Sequence, residues 1–336
     1  MDAVFSRLAG CWRVISSCLT AVLIASALTG AGGRPAAGAT PLKIVYPQPS
    51  AATTPLWLAH DQGFFARQGL DVSLTQVTGS SAVATISSGE SQILFAGATE
   101  VADFDATGGD LAMIAGAENY PVFSLYVSKD INTVQDLVGK KIAVTRSGTS
   151  TDTTARIILE HYGLTGKVDI ISSGGTLAGV MAAVTSGVAA GGILSPPTTA
   201  KAEAAGLKEL VNGVRLGVPM AALVMSVRRS YLEKNRDTVM RALKAYVDAW
   251  GYVRNPASEA AAESAIVHYT KVSPEDAAVA YRAFLPVWQA KVPRVDGRGV
   301  QNVLRFSANP QVRKMLPASL IDDSLLQELV RSGYVK

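Results

Sequence analysis

Between residues 42 and 227, short apolar runs alternate with segments of helical period, and past Val227 the strand-like runs stop. No other property of the chain restricts its fold as much. The runs are LKIVYPQ (42–48), LDVSLTQV (70–77), QILFAGA (92–98), LAMIAGA (111–117), FSLYVS (123–128), KKIAVTRS (140–147), VDIISSG (168–174), AAGGILS (189–195) and AALVMSV (221–227). Helix-periodic segments such as TPLWLAHDQGFFARQ and TLAGVMAAVTSG separate most of them. Parallel neighbours need a long crossover, which a helix supplies while covering the sheet. The pattern therefore predicts α/β units with mainly parallel sheets. The remainder reads as helices over 230–255, 256–270, 273–288 and 318–332, broken by Pro256, Pro274, Pro293 and Pro310.

Two stretches repeat one order of parts. TGSSAVATISSGESQILFAGA and SGGTLAGVMAAVTSGVAAGGILSPP each run from a Gly-rich turn through a small-residue helix to a Ser-Gly stop and a strand. With the number of strands, this predicts two similar α/β lobes. Two extended segments, LYVSKDI (125–131) and LVMSVRR (223–229), are expected to cross between them. The first lobe then comprises residues 40–127 and 226–336, including the helical C-terminal third, and the second comprises 128–225. Two crossings leave a cleft with a hinge, able to close around a ligand. Residues 1–39 stand apart. Arg7 and Arg13 precede an apolar stretch from Val14 to Leu28, and a small-residue tail ends in Ala37-Gly38-Ala39. That is the build of a secretory signal peptide cut after Ala39, with an apolar part too short to span a bilayer comfortably.

Composition narrows the chemistry. Both cysteines, Cys11 and Cys18, lie in this leader, so the mature chain has no disulfide framework, thiolate zinc site or cysteine nucleophile. Without the leader's three arginines and one aspartate, 28 basic residues face 26 acidic ones, a net charge of +2. Such a balance gives no electrostatic surface for nucleic acid. The sequence holds no GxxxxGK[ST] phosphate loop and no GxGxxG after a strand. Its three histidines, His60, His161 and His268, have no metal-ligand spacing, and Asp103 and Asp105, two apart on a helix, diverge. Gly148-Thr149-Ser150-Thr151-Asp152 comes near a nucleophile elbow but ends in Asp where the sharp turn favours Gly. His161 would lie roughly 16 Å from Ser150, at the far end of the same helix.

The densest polar cluster follows the run that ends at Thr145. Six of the seven residues from Ser147 to Thr153 are Ser, Thr or Asp, around Gly148, and a helix then begins. A helix start exposes backbone N–H groups without internal partners, and the aligned peptide dipoles favour an anion or other acceptor there. Ser147, Thr149, Ser150 and Thr151 add hydroxyl donors. The alternative is local: Ser147 or Thr149 caps the helix, and Asp152 supports its first turn. Similar turns recur at PQPSAATTP (47–55), TGSS (78–81), GATE (97–100), SSGGT (172–176) and SPPTT (195–199). In α/β sheets such turns gather at the carboxyl ends of strands, where ligands bind. They are hydroxyl-rich and nearly uncharged, Glu100 excepted, which suits a small anion or a neutral polar molecule. Trp57, Tyr120 and Phe123 read better as core than as a stacking surface.

PLWLAHDQGFFARQGLDVSL (55–74) and INTVQDLVGKKIAVTRSGTS (131–150) together resemble the periplasmic solute-binding proteins of ABC importers, in the branch that handles sulfonates, taurine, nitrate and thiamine-precursor pyrimidines. The resemblance covers roughly residues 42–255 and continues loosely through the C-terminal helices. It implies a two-lobe type II periplasmic-binding-protein fold with mixed, mainly parallel sheets and two hinge crossovers. It further implies a monomer in the periplasm that binds a small molecule and delivers it to the transmembrane subunits of an ABC permease. The permease would be its one link to the membrane, and neither cofactor nor enzymatic activity is implied. The family's binding residues fall on Gln48, Ser50, Gly79, Ser80, Ser81, Ala98, Asn119, Thr149, Ser150 and Ser195. Two alternatives share the fold: a sensor that presents its closed state to a membrane histidine kinase or chemoreceptor, and a thiamine-pyrimidine enzyme, whose cysteine-rich motif the mature chain lacks.

Overall fold

The computed structural model describes residues 38–47, 49–77 and 80–335. The expected signal peptide thus lies outside the described residues, except for Gly38 and Ala39. In chain order the first strands are β1 (Thr40–Tyr46), β2 (Leu70–Gln76), β3 (Ile93–Ala96), β4 (Leu111–Glu118) and β5 (Ser124–Val127). They are followed by β6 (Lys141–Val144), β7 (Asp169–Ser172), β8 (Gly191–Leu194), β9 (Lys208–Asn212) and β10 (Leu223–Arg228). Helices α1 (Thr54–Asp61), α2 (Phe64–Arg67), α3 (Ser80–Ser87) and α4 (Ala98–Asp105) accompany the early strands. Next come α5 (Ser150–His161), α6 (Leu177–Thr185), α7 (Thr198–Ala204) and α8 (Gly213–Leu216). The C-terminal third holds α9 (Arg229–Lys234), α10 (Arg236–Val253), α11 (Glu259–Thr270), α12 (Pro274–Phe284), α13 (Gly297–Phe306), α14 (Pro317–Leu320) and α15 (Ser324–Arg331).

The strands form two five-stranded sheets, ordered β2-β1-β3-β10-β4 and β7-β6-β8-β5-β9. Each sheet has parallel strands and one antiparallel strand in the fourth place. The shared order is the structural form of the internal repeat. Both antiparallel strands arrive from the other sheet: β5 follows β4, and β10 follows β9. A chain that leaves at the carboxyl end of one parallel strand enters its new sheet running the opposite way. The crossings are therefore 119–123 and 213–222. The segments 125–131 and 223–229, expected to cross between lobes, contain the strands β5 and β10 that follow the crossings. At the crossings the Gly213 N–H donates to the Phe123 carbonyl at 3.1 Å. A side chain on Gly213 would run into the Phe123 and Pro121 carbonyls, so only a bare Cα lets the two passages lie together.

The sheets are covered on both faces, as near-continuous apolar strands require. On β1, Leu42, Ile44 and Tyr46 join one core cluster while Val45 joins the other; on β3, Ile93 and Phe95 face away from Leu94 and Ala96. The larger cluster packs under α1, α10, α11 and α12 and includes Trp57, Trp250 and Trp288, each 1% exposed or less. A fully buried side chain of this kind contributes about 1.5–3 kcal/mol. The second sheet repeats the plan with α5 on one face and α6 and α7 on the other. Trp57 stacks on Tyr269 at 4.7 Å and meets Tyr46 edge-on, so it is a packing residue.

Three elements depart from expectation. Strand β9 is absent from the expected runs, because KELVN has two charges and buries only Val211. Helix α13 is hidden by two glycines; Asp296 caps it by accepting from the N–H groups of Arg298 and Gly299. The helix expected over 318–332 is broken, because Ile321 bridges Met113 and the Asp322 N–H donates to the Met113 carbonyl at 3.0 Å. On the same strand the Gly116 N–H donates to the Pro293 carbonyl at 2.8 Å. These bonds cover the outer edge of β4, whose eight residues are all buried.

Helix α5 of the second lobe packs against the first lobe and the second crossing. Ile157 of α5 is 1% exposed and packs in the cluster formed by α4, α13 and the first sheet. Beside it, Arg305 of α13 forms a two-pronged ion pair with Glu160 of α5, and Thr154 meets the Met220 sulfur at 3.6 Å. Among the described residues, no helix is long and apolar enough to cross a membrane.

Candidate ligand-binding site

The parallel strands of both sheets end on the edges that the crossings join. After β1, β3 and β4 come the turns beginning at Pro47, Gly97 and Asn119; after β6, β8 and β9 come those beginning at Thr145, Ser195 and Gly213. Helix amino ends in these turns carry N–H groups with no carbonyl of their own helix to bond.

In the second lobe, much of the polar cluster is spent on itself. The hydroxyls of Thr145, Thr149 and Thr151 form a closed triangle with sides of 3.0, 2.8 and 3.0 Å. Thr149 also donates to the Arg146 carbonyl at 2.7 Å, and Thr151 accepts from the Thr145 N–H. Asp152, 2% exposed, accepts from the Gly148 N–H at 2.8 Å and lies 3.0 Å from Arg156. These bonds lock the start of α5. Gly148 takes a φ of +78°, a region closed to most side chains. Ser150, the first residue of α5, is half-buried, and its hydroxyl has no partner among the described residues. Ser195 precedes Pro196 and Pro197 and accepts through its carbonyl from the Thr198 N–H.

In the first lobe, Gln48 and Gly79 lie outside the described residues, as does the Ser80 side chain. Ser50 caps the short turn Ala51–Thr53 by accepting from the Ala52 N–H. Ser81 is exposed in the first turn of α3, and Ala98, buried, opens α4. Asn119 is engaged at both ends of its amide: it donates to the Arg294 carbonyl at 2.6 Å and accepts from the Asp296 N–H at 3.0 Å. Glu100, in the first turn of α4, folds its carboxylate back over Gly97. Its carboxylate rests beside Gly97 while the side chain keeps access to solvent. Burial pushes its carboxyl above the ordinary range; its own N–H partly offsets this, and Asp103 adds to the rise.

A cavity of about 400 Å³ lies at the β5–β9 end of the second sheet and faces α12 of the first lobe. The second lobe contributes Tyr126, Pro196, Thr199 and Asn212, and α12 contributes Val279 and Arg282. A neighbouring cavity of about 460 Å³ runs beside His161, Tyr162 and residues 209–212. Of the described residues expected from the sequence, none lines either cavity, although Pro196 adjoins Ser195. The histidines do not form a nucleophilic arrangement with the cluster at 145–152. His60 is engaged at the end of α1 instead, where Asp61 bonds both His60 and the Tyr269 hydroxyl, each at 2.8 Å. Burial pushes the Asp61 carboxyl up, but the bonds from His60 and Tyr269 outweigh it and hold it below the usual range. Among the described residues, no three His, Cys, Asp or Glu side chains converge as metal ligands.

Residues 50–260 match the family model described as NMT1/THI5 like. No curated protein matches the sequence. Solved structures do share the fold. One is named as the periplasmic sulfonate-binding protein SsuA of a putative sulfonate ABC transporter from Methylobacillus flagellatus KT. It superposes with a TM-score of 0.70 at 15% identity, covering 89% of this chain and 96% of its own. The periplasmic nitrate-binding protein NrtA from Synechocystis PCC 6803 gives 0.68 at 14% identity, over 88% and 90% of the two chains. The desulfurization enzyme DSZB gives 0.59 at 16% identity, over 88% and 99%. The chain thus has the periplasmic-binding-protein architecture of two mixed α/β lobes, a fold that carries binding proteins and at least one enzyme.

Proposed function

The chain belongs to the NMT1/THI5-like family, and from that membership we propose that it is an extracytoplasmic receptor for a small polar or anionic organic molecule. It captures the ligand between its lobes and delivers it to the transmembrane subunits of an ABC permease. The observation that carries this reading is the way both crossings join the strand-end edges of the two sheets. A ligand held by turns from both edges gains differential affinity for the closed state, which is what drives closure.

The site is electrostatically uneven. Glu100 stands at the amino end of α4 with no cation bonded to it among the described residues, so that end suits a donor and repels an acid. At α5, Asp152 already supports the helix start, leaving Ser150 and the free N–H groups as neutral donors. Helix-end contacts contribute about 0.3–1 kcal/mol each, and micromolar binding requires about 8 kcal/mol. Several turns and some apolar burial must therefore act together.

The test is a thermal-shift panel of sulfonates, carboxylates, nitrate, pyrimidines and aromatic acids on the full mature chain. A true ligand at a hundredfold excess over its Kd raises stability by about 2.7 kcal/mol. No shift from any compound would remove the receptor reading. The fold's enzymatic use, seen in DSZB, is checked by mass spectrometry of the same incubations, where a receptor returns its ligand unchanged.

A further inference from the structure

We propose that the Asn212-Gly213 bond in the second crossing is a site of spontaneous deamidation, and that the parting of the two passages sets its rate. The chemistry is intrinsic to the pair and holds whatever the chain binds. An asparagine deamidates when the backbone nitrogen after it attacks the side-chain carbonyl, and glycine, with no Cβ to obstruct the approach, permits this best. Asn212 is the chain's one asparagine followed by glycine; Asn255 and Asn309 precede prolines, which have no N–H to lose. The Gly213 nitrogen gives its proton to solvent base and bonds to Cγ of Asn212, and the Cγ–Nδ2 bond breaks as ammonia leaves. Water then opens the cyclic imide at either carbonyl. One opening gives aspartate at position 212, and the other gives isoaspartate, with the backbone rerouted through the side chain. Overall, one water is consumed and one ammonia is released.

The folded molecule opposes each step. Asn212 ends β9 in an extended conformation, ψ 120°, which turns the Gly213 nitrogen away from the side chain. The amide is held at both ends: Nδ2 donates to Glu209 at 2.9 Å, and Oδ1 accepts from the Arg215 N–H at 2.9 Å. The attacking nitrogen is held too, because its N–H donates to the Phe123 carbonyl of the first passage at 3.1 Å. Gly213 is buried and fits there only as a bare Cα. The two amide bonds are local and break with a side-chain rotation. The bond to Phe123 breaks only when the passages separate, so this opening is the step that admits the reaction. Water is at hand, since Asn212 borders both cavities. The conversion is one-way, and it falls on a crossing. It removes the donor to Glu209 and sets a second carboxylate beside it, where Arg215 already pairs with Glu209 at 2.6 Å. Isoaspartate also lengthens the crossing by one backbone carbon.

The test incubates the mature chain and its Gly213→Ala and Glu209→Ala variants in mildly alkaline buffer, each folded and each unfolded in urea. Peptide mapping by mass spectrometry reads aspartate and isoaspartate at position 212. Dividing each folded rate by the unfolded rate of the same variant removes the intrinsic effect of replacing glycine. Wild type is expected to convert about a hundredfold more slowly folded than unfolded, the scale of three ordinary hydrogen bonds broken together. Gly213→Ala, which forces the passages apart, should lose about tenfold or more of this protection. Glu209→Ala, which frees only the side chain, should lose about threefold. Hydrogen exchange at the Gly213 N–H reads the same opening in wild type, whether or not the alanine variant folds, and should be protected. Equal rates in folded and unfolded wild type would overturn the gating. So would a larger loss in Glu209→Ala than in Gly213→Ala, or rapid exchange at Gly213 beside slow deamidation. No conversion in the folded protein, over an incubation that the expected rate would complete, would overturn the site itself.

Discussion

Ser150 and Thr151 are neighbours at the start of α5 and should answer mutation in opposite ways. Ser150→Ala removes a hydroxyl with no partner among the described residues. It is expected to weaken ligand binding by about fivefold to tenfold, one ordinary hydrogen bond, with no change in melting temperature. Thr151→Ala opens the buried hydroxyl triangle and should cost about 1–3 kcal/mol of stability, read by denaturant melts. Unchanged affinity in Ser150→Ala would leave it a purely structural helix start. The sequence shows that the cluster is polar but not which hydroxyls are free, since that depends on contacts between Thr145 and residues four to six positions later. Glu118 is not legible at all. It ends β4 and is 5% exposed, and among the described residues its carboxylate has one hydrogen bond, accepted from the Val122 N–H at 3.1 Å. Burial raises its carboxyl from 4.5 to about 7, against the lowering effect of that bond. The folded state therefore binds the extra proton between pH 4.5 and about 7, so stability falls as pH rises through this window and then levels off. Glu118→Gln keeps the acceptor and removes the titration. It is expected to match wild type near pH 4 and to exceed it by up to about 3 kcal/mol at pH 8, measured by urea melts across pH.

At the scale of elements, the parallel strands are readable because burial on both faces makes them continuous apolar runs. β9 and α13 are not. One is a short, half-exposed edge strand, and the other carries Gly299, whose bare Cα lies against the backbone of Met220 and Ala221. Their identity is set by what packs on them, which a local pattern does not encode. The crossings lie a few residues earlier than expected for a related reason. β5 and β10 are legible as strand-like runs, and only pairing shows which sheet each one joins. The close approach at Gly213 makes the passages sensitive. Gly213→Ala places a methyl group against two carbonyls and should cost about 1–3 kcal/mol, with faster proteolytic cutting at residues 119–123. An unaltered melt and cutting pattern would show that the passages can separate without loss.

For the whole molecule, two lobes and a helical last third follow from the order of runs, and the family match over residues 50–260 agrees with the resemblance seen in two short motifs. The cleft's contents follow less well. Its expected residues sit on strand-end turns, whereas the cavity facing α12 draws on a helix far off in sequence. No local motif announces such a pairing. The same scale governs how the lobes part. Ile157 of α5 is buried among first-lobe side chains, and Arg305 grips Glu160 beside it. Separation at this flank must expose Ile157, at about 1.5–3 kcal/mol, and break an exposed ion pair worth about 0–1 kcal/mol. An empty molecule would then spend most of its time shut, and a guest would wait at the door for rare openings. Combining Ile157→Val with Arg305→Gln should quicken both entry and escape several-fold in stopped-flow traces, since each 1.4 kcal/mol is about a tenfold change in the open population. The speed of ligand exchange would thus be set at a flank apart from the strand-end turns.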